Sequence, residues 1–298
     1  MHLQKNLRNT DMYKIINKQQ QTENIISMDV FAPWIAAEGL PGQFVIVIPT
    51  EKGERVPLTI CDINKEAQTV TIVFQIVGES TKRLAEMNAG DEIFTIVGPL
   101  GRASELIDEH KEGKLAGKHI LFVAGGVGTA PIYPQAKWCH ENGIACDVIL
   151  GARNKGLIFY EEEMRKVCDN LYVMTDDGSY GRHGNVTVPL KEMLEAGDKV
   201  DLVVAIGPVI MMKFVSLTTK PFGTKTTVSL NTIMVDGTGM CGGCRVSVGG
   251  ENKFACVDGP EFDGHQVDWA NLLMRQQMYK NQESMEYSCG GHCKCVEE

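Results

Sequence analysis

The spacing of apolar residues changes character near position 112 of this chain. Before that point, short β-branched and aromatic runs occupy 44–48, 69–77 and 92–97. Turn residues interrupt them at Pro41-Gly42, Lys52-Gly53 and Ala89-Gly90-Asp91. Runs of that length between such breaks predict an antiparallel barrel or sandwich. Only 80–87 reads as helix in this part. Beyond a charged linker at 108–118 the rhythm lengthens. Apolar strands predicted at 119–124, 146–150, 171–174 and 202–206 alternate with helical stretches ending near 142 and covering 160–168 and 188–196. That alternation predicts a parallel sheet with crossover helices, the doubly wound α/β class. After 223 the apolar content is too low for a large core, and glycine and cysteine become dense. The division expected is a polar extension at 1–11, a β-rich domain at 12–111, an α/β domain at 112–222, a small module at 223–269 and a helix or tail at 270–298.

Composition narrows the class of protein. At 298 residues, with 43% hydrophobic and 22% charged residues, the chain is ordinary globular material of two or more domains, not a coiled coil or a disordered polymer. A net charge of −9 argues against nucleic acid or an anionic membrane as the main partner. No apolar run approaches the roughly 20 residues of a membrane-spanning helix, and the polar N-terminus shows no secretory signal. The expectation is a soluble, cytoplasmic protein. Of the ten cysteines, Cys61, Cys139, Cys146 and Cys168 stand singly and read as small core residues. The others crowd between Cys241 and Cys295. Where thiols stay reduced, such crowding suggests metal rather than disulfides.

Three constellations carry candidate chemistry. The first is Asp236-Gly-Thr-Gly-Met-Cys241-Gly-Gly-Cys244, with Cys256 following. Its spacing is that of a plant-type [2Fe–2S] loop, C-x4-C-x2-C plus a distant cysteine, with aspartate in the first place. Glycines let backbone amides turn toward cluster sulfides, and a carboxylate oxygen is a harder ligand that still binds iron. A structural zinc could use the same Cys-x2-Cys pair, and a loop aspartate can also simply cap a turn. The second is Gly125-Gly126-Val127-Gly128-Thr129 between a strand and a helix, where backbone N–H groups can meet a pyrophosphate. It departs from the G-x-G-x-x-G spacing, and such turns also occur where nothing binds. Asp176 and Asp177, after a later strand, are suited to ribose hydroxyls or to a solvated turn. The third is Arg55-Val-Pro57-Leu58-Thr59 with Gly78-Glu-Ser80-Thr81: an arginine suited to bidentate phosphate contact and a helix start rich in hydroxyls. A surface arginine and an ordinary helix cap are the plainer alternatives.

Taken in order, these motifs resemble the ferredoxin–NADP reductase superfamily. More narrowly, they resemble the branch holding the electron-transfer subunit of dihydroorotate dehydrogenase, the small (alpha) subunit of NADH-dependent reduced ferredoxin:NADP oxidoreductase and the sulfide dehydrogenase small subunit. The resemblance spans about 12–269. It implies a β-barrel FAD domain, an α/β doubly wound nucleotide-binding domain and a small C-terminal [2Fe–2S] module. Arg55 would meet the FAD pyrophosphate, and Pro57, Leu58 and Thr59 would lie along the isoalloxazine. Phe74, Gln75 and Ile76 would line the flavin strand, with Gly78, Ser80 and Thr81 at the phosphate-side helix start. Gly125, Gly126, Gly128 and Thr129 would face the nicotinamide nucleotide, helped by Asp176 and Asp177. Asp236, Cys241, Cys244 and Cys256 would hold the cluster. Asp236 in place of a fourth cysteine resembles the ferredoxin:NADP branch rather than the dihydroorotate branch.

The implied function is an oxidoreductase subunit that moves electrons between a nicotinamide dinucleotide and a larger flavoprotein subunit carrying iron–sulfur clusters, with ferredoxin reached through that partner. The resemblance favours NAD(H) over NADP(H), although Arg153 and Lys155 would suit a 2′-phosphate. The corresponding subunit of dihydroorotate or sulfide dehydrogenase is the alternative of the same class. A zinc-binding interaction protein without redox activity is the alternative of another. No residue is singled out as a catalytic acid, base or nucleophile. The tail Cys289-Gly-Gly-His292-Cys293-Lys-Cys295 departs from the family pattern and could hold a metal, serve as redox thiols, or carry incidental cysteines.

Overall fold

The computed structural model describes residues 13–278. The extension at 1–11 and the tail bearing Cys289, His292, Cys293 and Cys295 lie outside them. The first unit is a six-stranded antiparallel sheet in the order β1-β2-β5-β4-β3-β6. Its strands are β1 (Ile15–Thr22), β2 (Ile25–Phe31), β3 (Phe44–Ile48), β4 (Val56–Asn64), β5 (Thr69–Gln75) and β6 (Thr95–Leu100). Its edges meet: Ile15 N–H donates to Asp91 O at 2.9 Å and Ile93 N–H to Tyr13 O at 3.0 Å, around a Lys14–Glu92 bridge. The sheet therefore closes as the expected barrel. These contacts, which fall just ahead of β6, cover part of the unpaired edge on which open sheets aggregate.

Several elements in this part were not foreseen. β1 (IINKQQQT) hides in its polar residues, because only Ile15 and Thr22 are buried. Helix α1 (Pro33–Glu38) is short, begins on a proline that needs no N–H partner, and presses Ile35 and Ala36 into the barrel. The strand expected at 92–97 is displaced to Thr95–Leu100 and runs through Pro99. Proline is tolerated there because β6 is the last strand of the sheet. Helix α2 (Glu79–Glu86) lies close to the expected place. Helix α3 (Glu105–Lys111) occupies part of what reads as a charged linker, sealing Leu106 and Ile107 beneath its charges.

The second sheet runs β10-β9-β8-β7-β11-β12-β15. β7 (His119–Gly125), β8 (Ala145–Ala152), β9 (Asn170–Thr175), β10 (Arg182–His183), β11 (Leu202–Ile206) and β12 (Lys225–Ser229) are parallel, and β15 (Glu261–Asp263) is antiparallel to β12. Helices α4 (Thr129–Glu141), α5 (Glu161–Arg165), α6 (Thr187–Ala196) and α7 (Val209–Thr219) make the crossovers. β7 shows why its sequence is a continuous apolar run. Ile120 and Phe122 join the core on one face of the sheet, while Leu121 and Val123 join the core on the other.

This sheet does not stop at 222. β12 and β15, both from the cysteine-rich end of the chain, are hydrogen-bonded into it. Between them lie β13 (Arg245–Val248) and β14 (Glu251–Phe254), a separate hairpin, and α8 (Trp269–Arg275) follows. The hairpin cannot form a core of its own. Cys244, Val246, Ala255 and Cys256 pack instead in the core that contains Phe44 and Ile46 of the barrel and Leu121 and Val123 of β7.

A polar knot marks the junction of the three units. Glu261 of β15 accepts from Gln135 Nε2 of α4 at 2.7 Å and from Ser104 Oγ at 2.9 Å, just ahead of α3. Burial pushes the Glu261 carboxyl above the ordinary glutamate range, against those two hydrogen bonds and with Glu105 adding to the push. A carboxyl raised in the folded state contributes stability below its unfolded pKa, and that contribution is lost as pH rises through its folded pKa. Glu261→Gln is expected to flatten the fall in melting temperature from pH 4 upward. Parallel melting curves of the two proteins between pH 4 and 8 would show that Glu261 is not the group responsible.

Candidate functional site

A cavity of about 680 Å³ opens at the carboxyl ends of the parallel strands, between the second sheet and the barrel. It lies where the chain, having run from β7 through β8 to β9, crosses back to β11 on the other side of β7. Doubly wound sheets bind ligands at such a switch point, because loops diverge there and leave strand-end backbone uncovered. Gly125 and Gly126 line it from β7, Arg153 from the end of β8, Asp176 from the end of β9, Gln75 from the barrel and Asn231 from the segment after β12.

Gly128 and Thr129, expected to face the nucleotide, build the turn from β7 into α4. A Cβ on Gly128 would stand 2.2 Å from the Ile206 carbonyl oxygen, so the loop can pass β11 only without a side chain. Thr129 is buried, its hydroxyl donating to Gly126 O at 2.9 Å. Asp176 lines the cavity with its carboxylate making no hydrogen bond within the described residues. Asp177 spends Oδ1 on its own turn, accepting from Ser179 N–H at 2.9 Å, and this serine holds its carboxyl below the usual range. Arg153 stands on the same wall with no ion pair among the described residues. The glycine motif did not point to the apolar flank, Met211 and Phe214 of α7, because that helix has no polar face to reveal its periodicity.

The flavin candidates divide by strand geometry. Alternate residues of a strand point to opposite faces, so Phe74, Gln75 and Ile76 do not act together. Phe74 is 2% exposed in the barrel core and Ile76 packs against the same core, while Gln75 lines the cavity. The Phe74 side chain therefore points into the barrel core, away from the cavity that Gln75 lines. Ser80 and Thr81 are buried at the start of α2. Ser80 Oγ donates to the Glu54 carboxylate. Thr81 Oγ1 accepts from the Val77 and Gly78 N–H groups, each at 3.0 Å, as a cap. Gly78 has open space where a side chain would stand. Pro57, Leu58 and Thr59 are half-buried on β4.

Arg55, just before β4, donates from Nη2 to the Asp236 carbonyl at 3.0 Å, while its Nε is buried without a partner among the described residues. An orphaned guanidinium N–H is costly unless something accepts from it. Its environment therefore fits an anionic group such as the flavin pyrophosphate.

The cysteine loop lies directly over this arginine. Cys244 and Cys256 are buried with their sulfurs 3.2 Å apart, and Cys256 N–H points to Cys244 Sγ at 3.4 Å. Burial, together with the Cys244 thiol, pushes the Cys256 thiol up to about 12. Cys241 is exposed, and donation from Gly243 N–H lowers its pKa. Asp236 Oδ2 accepts from the Thr238 hydroxyl and N–H and from Met240 N–H, so that oxygen caps its own turn while Oδ1 makes no hydrogen bond among the described residues. Among the described residues no three His, Cys, Asp or Glu side chains converge as a metal site. The loop does supply three thiols, a free carboxylate oxygen and inward amides. That donor set fits an iron–sulfur cluster. Gly237, at φ +83°, makes the seating possible, since a Cβ there would come 2.8 Å from Ile46 on the barrel wall.

The fold and site together define an oxidoreductase of the ferredoxin–NADP reductase class, with a nucleotide domain and an iron–sulfur module on a flavin-type barrel. Residues 122–217 match an oxidoreductase NAD-binding domain, and 231–268 match the iron–sulfur cluster binding domain of dihydroorotate dehydrogenase B. A homologue of the dihydroorotate dehydrogenase B electron-transfer subunit from Thermotoga maritima is 43% identical, over 93% of this chain and 95% of its own length. An uncharacterized protein from Clostridium beijerinckii is 59% identical over 91% of this chain and 92% of its own. A solved chain of the NADH-dependent reduced ferredoxin–NADP oxidoreductase superposes with a TM-score of 0.86 at 42% identity, covering 94% of this chain and 98% of that one. The chain belongs to the family of dihydroorotate dehydrogenase B electron-transfer subunits and their ferredoxin–NADP oxidoreductase relatives, and is an electron-transfer subunit of that family. No helix among the described residues is long and apolar enough to cross a membrane.

Two outcomes test the site. Gly128→Ala is expected to displace the turn from β11, lowering the melting temperature and weakening dinucleotide binding by calorimetry at least ten-fold; unchanged binding would separate the turn from the nucleotide. Asp236→Cys is expected to keep a cluster while changing its EPR signal and midpoint potential. Identical spectra and potential would remove Asp236 from the ligand set.

Proposed function

We propose that this subunit takes a hydride from NADH at the switch-point cavity and passes electrons singly, by way of the 236–256 loop, to a larger flavoprotein partner. Contiguity carries the reading. Gln75 of the barrel lines the nucleotide cavity, and Arg55 of the same barrel holds the cysteine loop by its backbone. Bound FAD supplies the exchange between two-electron hydride and one-electron chemistry, and a [2Fe–2S] cluster held by Asp236, Cys241, Cys244 and Cys256 carries single electrons.

The chain's own residues bind and orient. Gly126, with open space where a side chain would stand, leaves backbone open to a dinucleotide at the cavity, and Arg55 neutralises pyrophosphate. No general acid or base is required of the protein. The exit side is marked by apolar residues left exposed in the cysteine-rich module: Val235, Met240 and Val257. Exposed apolar groups beside a redox loop suit a docking partner. The partner of this reading is a larger flavoprotein subunit with iron–sulfur clusters, through which ferredoxin is reached. The match over 231–268 supports a second reading, in which the partner is a dihydroorotate-oxidising subunit.

Nucleotide choice rests on two side chains of one wall. An acid at a strand end accepts from a ribose 2′-hydroxyl, whereas an arginine accommodates a 2′-phosphate. Asp176 repels the phosphate and Arg153 attracts it. With the NADH dependence of the solved relative, the reading is NAD(H). In stopped-flow reduction of the anaerobically purified, yellow-brown protein, NADH is expected to react faster than NADPH. Asp176→Asn should reduce that preference by roughly ten-fold, the value of one hydrogen bond to a charged group. Faster reduction by NADPH would reverse the assignment. A colourless protein would return the cysteine loop to zinc.

A further inference from the structure

The sequence places Arg55 in the flavin site and Asp236 in the cluster site, 181 positions apart, and the structure joins them. Arg55 Nη2 donates to the Asp236 carbonyl at 3.0 Å, and Arg55 Nε is one of two buried side-chain polar atoms without a partner among the described residues. The other, Thr232 Oγ1, also belongs to the segment leading into the cysteine loop. Farther along the module the 244–256 stretch shares a core with Phe44 and Ile46, and Arg102 bonds Val257 and Gly259, so the Arg55 bond is the barrel's polar hold at the Asp236 end of the loop. Gly237 passes Ile46 by having no side chain, and the Asp236 carboxylate spends one oxygen on its own turn.

We propose that Arg55 is a positioning residue shared by two redox sites: its guanidinium fixes the cluster loop through the Asp236 carbonyl and couples that loop to occupancy of the flavin pyrophosphate site. This rests on the functional reading above and adds a linkage between its parts. A guanidinium presents several donors in one rigid plane. A pyrophosphate that draws on the idle donors therefore restrains the same plane that holds the loop. The coupling is reciprocal, as linkage requires: an ordered loop pre-sets Arg55 for flavin, and bound flavin steadies the loop. Arg55 also adds a positive charge beside the loop. Reducing a cluster adds negative charge, so this arginine raises the cluster's potential, and its removal lowers it.

The test uses the full 298-residue protein, reconstituted anaerobically with iron and sulfide, and reads each variant with and without FAD. In the wild type, adding FAD is expected to shift the cluster's EPR signal and midpoint potential. In Arg55→Gln the flavin-free potential should fall below that of the flavin-free wild type. FAD should bind about ten- to a hundred-fold more weakly, the range for losing a charge-assisted hydrogen bond. At saturating FAD the shift of the cluster signal should disappear.

Arg55→Lys keeps the charge and loses the planar fork. It should restore the flavin-free potential without restoring the FAD-dependent shift. Ser80→Ala, at the other end of the flavin candidates, should weaken FAD binding while the flavin-free cluster signal stays as in the wild type. Arg55 variants that match the wild type in flavin-free potential and in FAD-dependent shift would overturn the linkage. If instead the wild-type protein takes up neither FAD nor a cluster, the functional reading fails rather than the linkage alone.

Discussion

Strand β3 is buried on both faces, and the rest of the molecule is arranged around that fact. Val45 and Val47 point into the barrel core, while Phe44 and Ile46 point into a second core containing Leu121 and Val123 of the parallel sheet and Cys244 and Cys256 of the cysteine loop. One strand of five residues is therefore wall to two compartments. Burying each such side chain contributes roughly 1.5–3 kcal/mol, and none can face solvent without losing one compartment or the other. The cysteine-rich segment, too small to make a core alone, borrows the outer face of the barrel. That borrowing brings a metal-binding loop within reach of a flavin-type fold.

The polar contacts between units set direction rather than supply most of the energy. The Lys137–Asp62 ion pair, 2.8 Å long with both side chains about one-third exposed, ties α4 to the barrel but is discounted heavily by solvent. Arg102 reaches the cysteine-rich module through its backbone N–H to Gly259 O at 2.7 Å and its Nε to Val257 O at 3.2 Å. Glu261 collects Ser104 and Gln135 from two other parts of the chain. Such contacts have narrow geometry. They determine how the barrel, sheet and loop face one another once apolar packing has brought them together, and that facing places the switch-point cavity beside Gln75 and the cysteine loop beside Arg55.

Elements with strong periodicity were legible at once. β11 occupies the residues its apolar run indicated, and β7 with its glycine turn and α4 follow the expected strand–turn–helix order. Elements with weak or misleading patterns were not. β1 carries three consecutive glutamines, α7 is apolar nearly all round, and β12 is a lysine, two threonines, a valine and a serine whose middle residues are buried. Burial of Thr226 and Thr227 is decided by the sheet beside them, which no local window contains. At the site, motif spacing singled out the glycine turn, the arginine and the cysteine loop, but it did not separate the buried Phe74 from Gln75, which lines the cavity. The period-two rule, applied to Phe74 beside Gln75, would have separated core from cavity without a structure.

The sequence by itself determined the class: two textures of apolar spacing, a glycine turn between strand and helix, and a glycine-rich Asp/Cys loop are local properties, and local sterics and ligand chemistry are enough to read them. Only the tertiary structure decided which residues meet. That β15 returns from the cysteine-rich segment into the parallel sheet, that Gly128 must lack a side chain to pass β11, and that Arg55 spans from the barrel to Asp236 all depend on chain segments far apart in sequence. Contacts of that kind follow from three units sharing one core, and the shared core exists only after the chain has closed on itself.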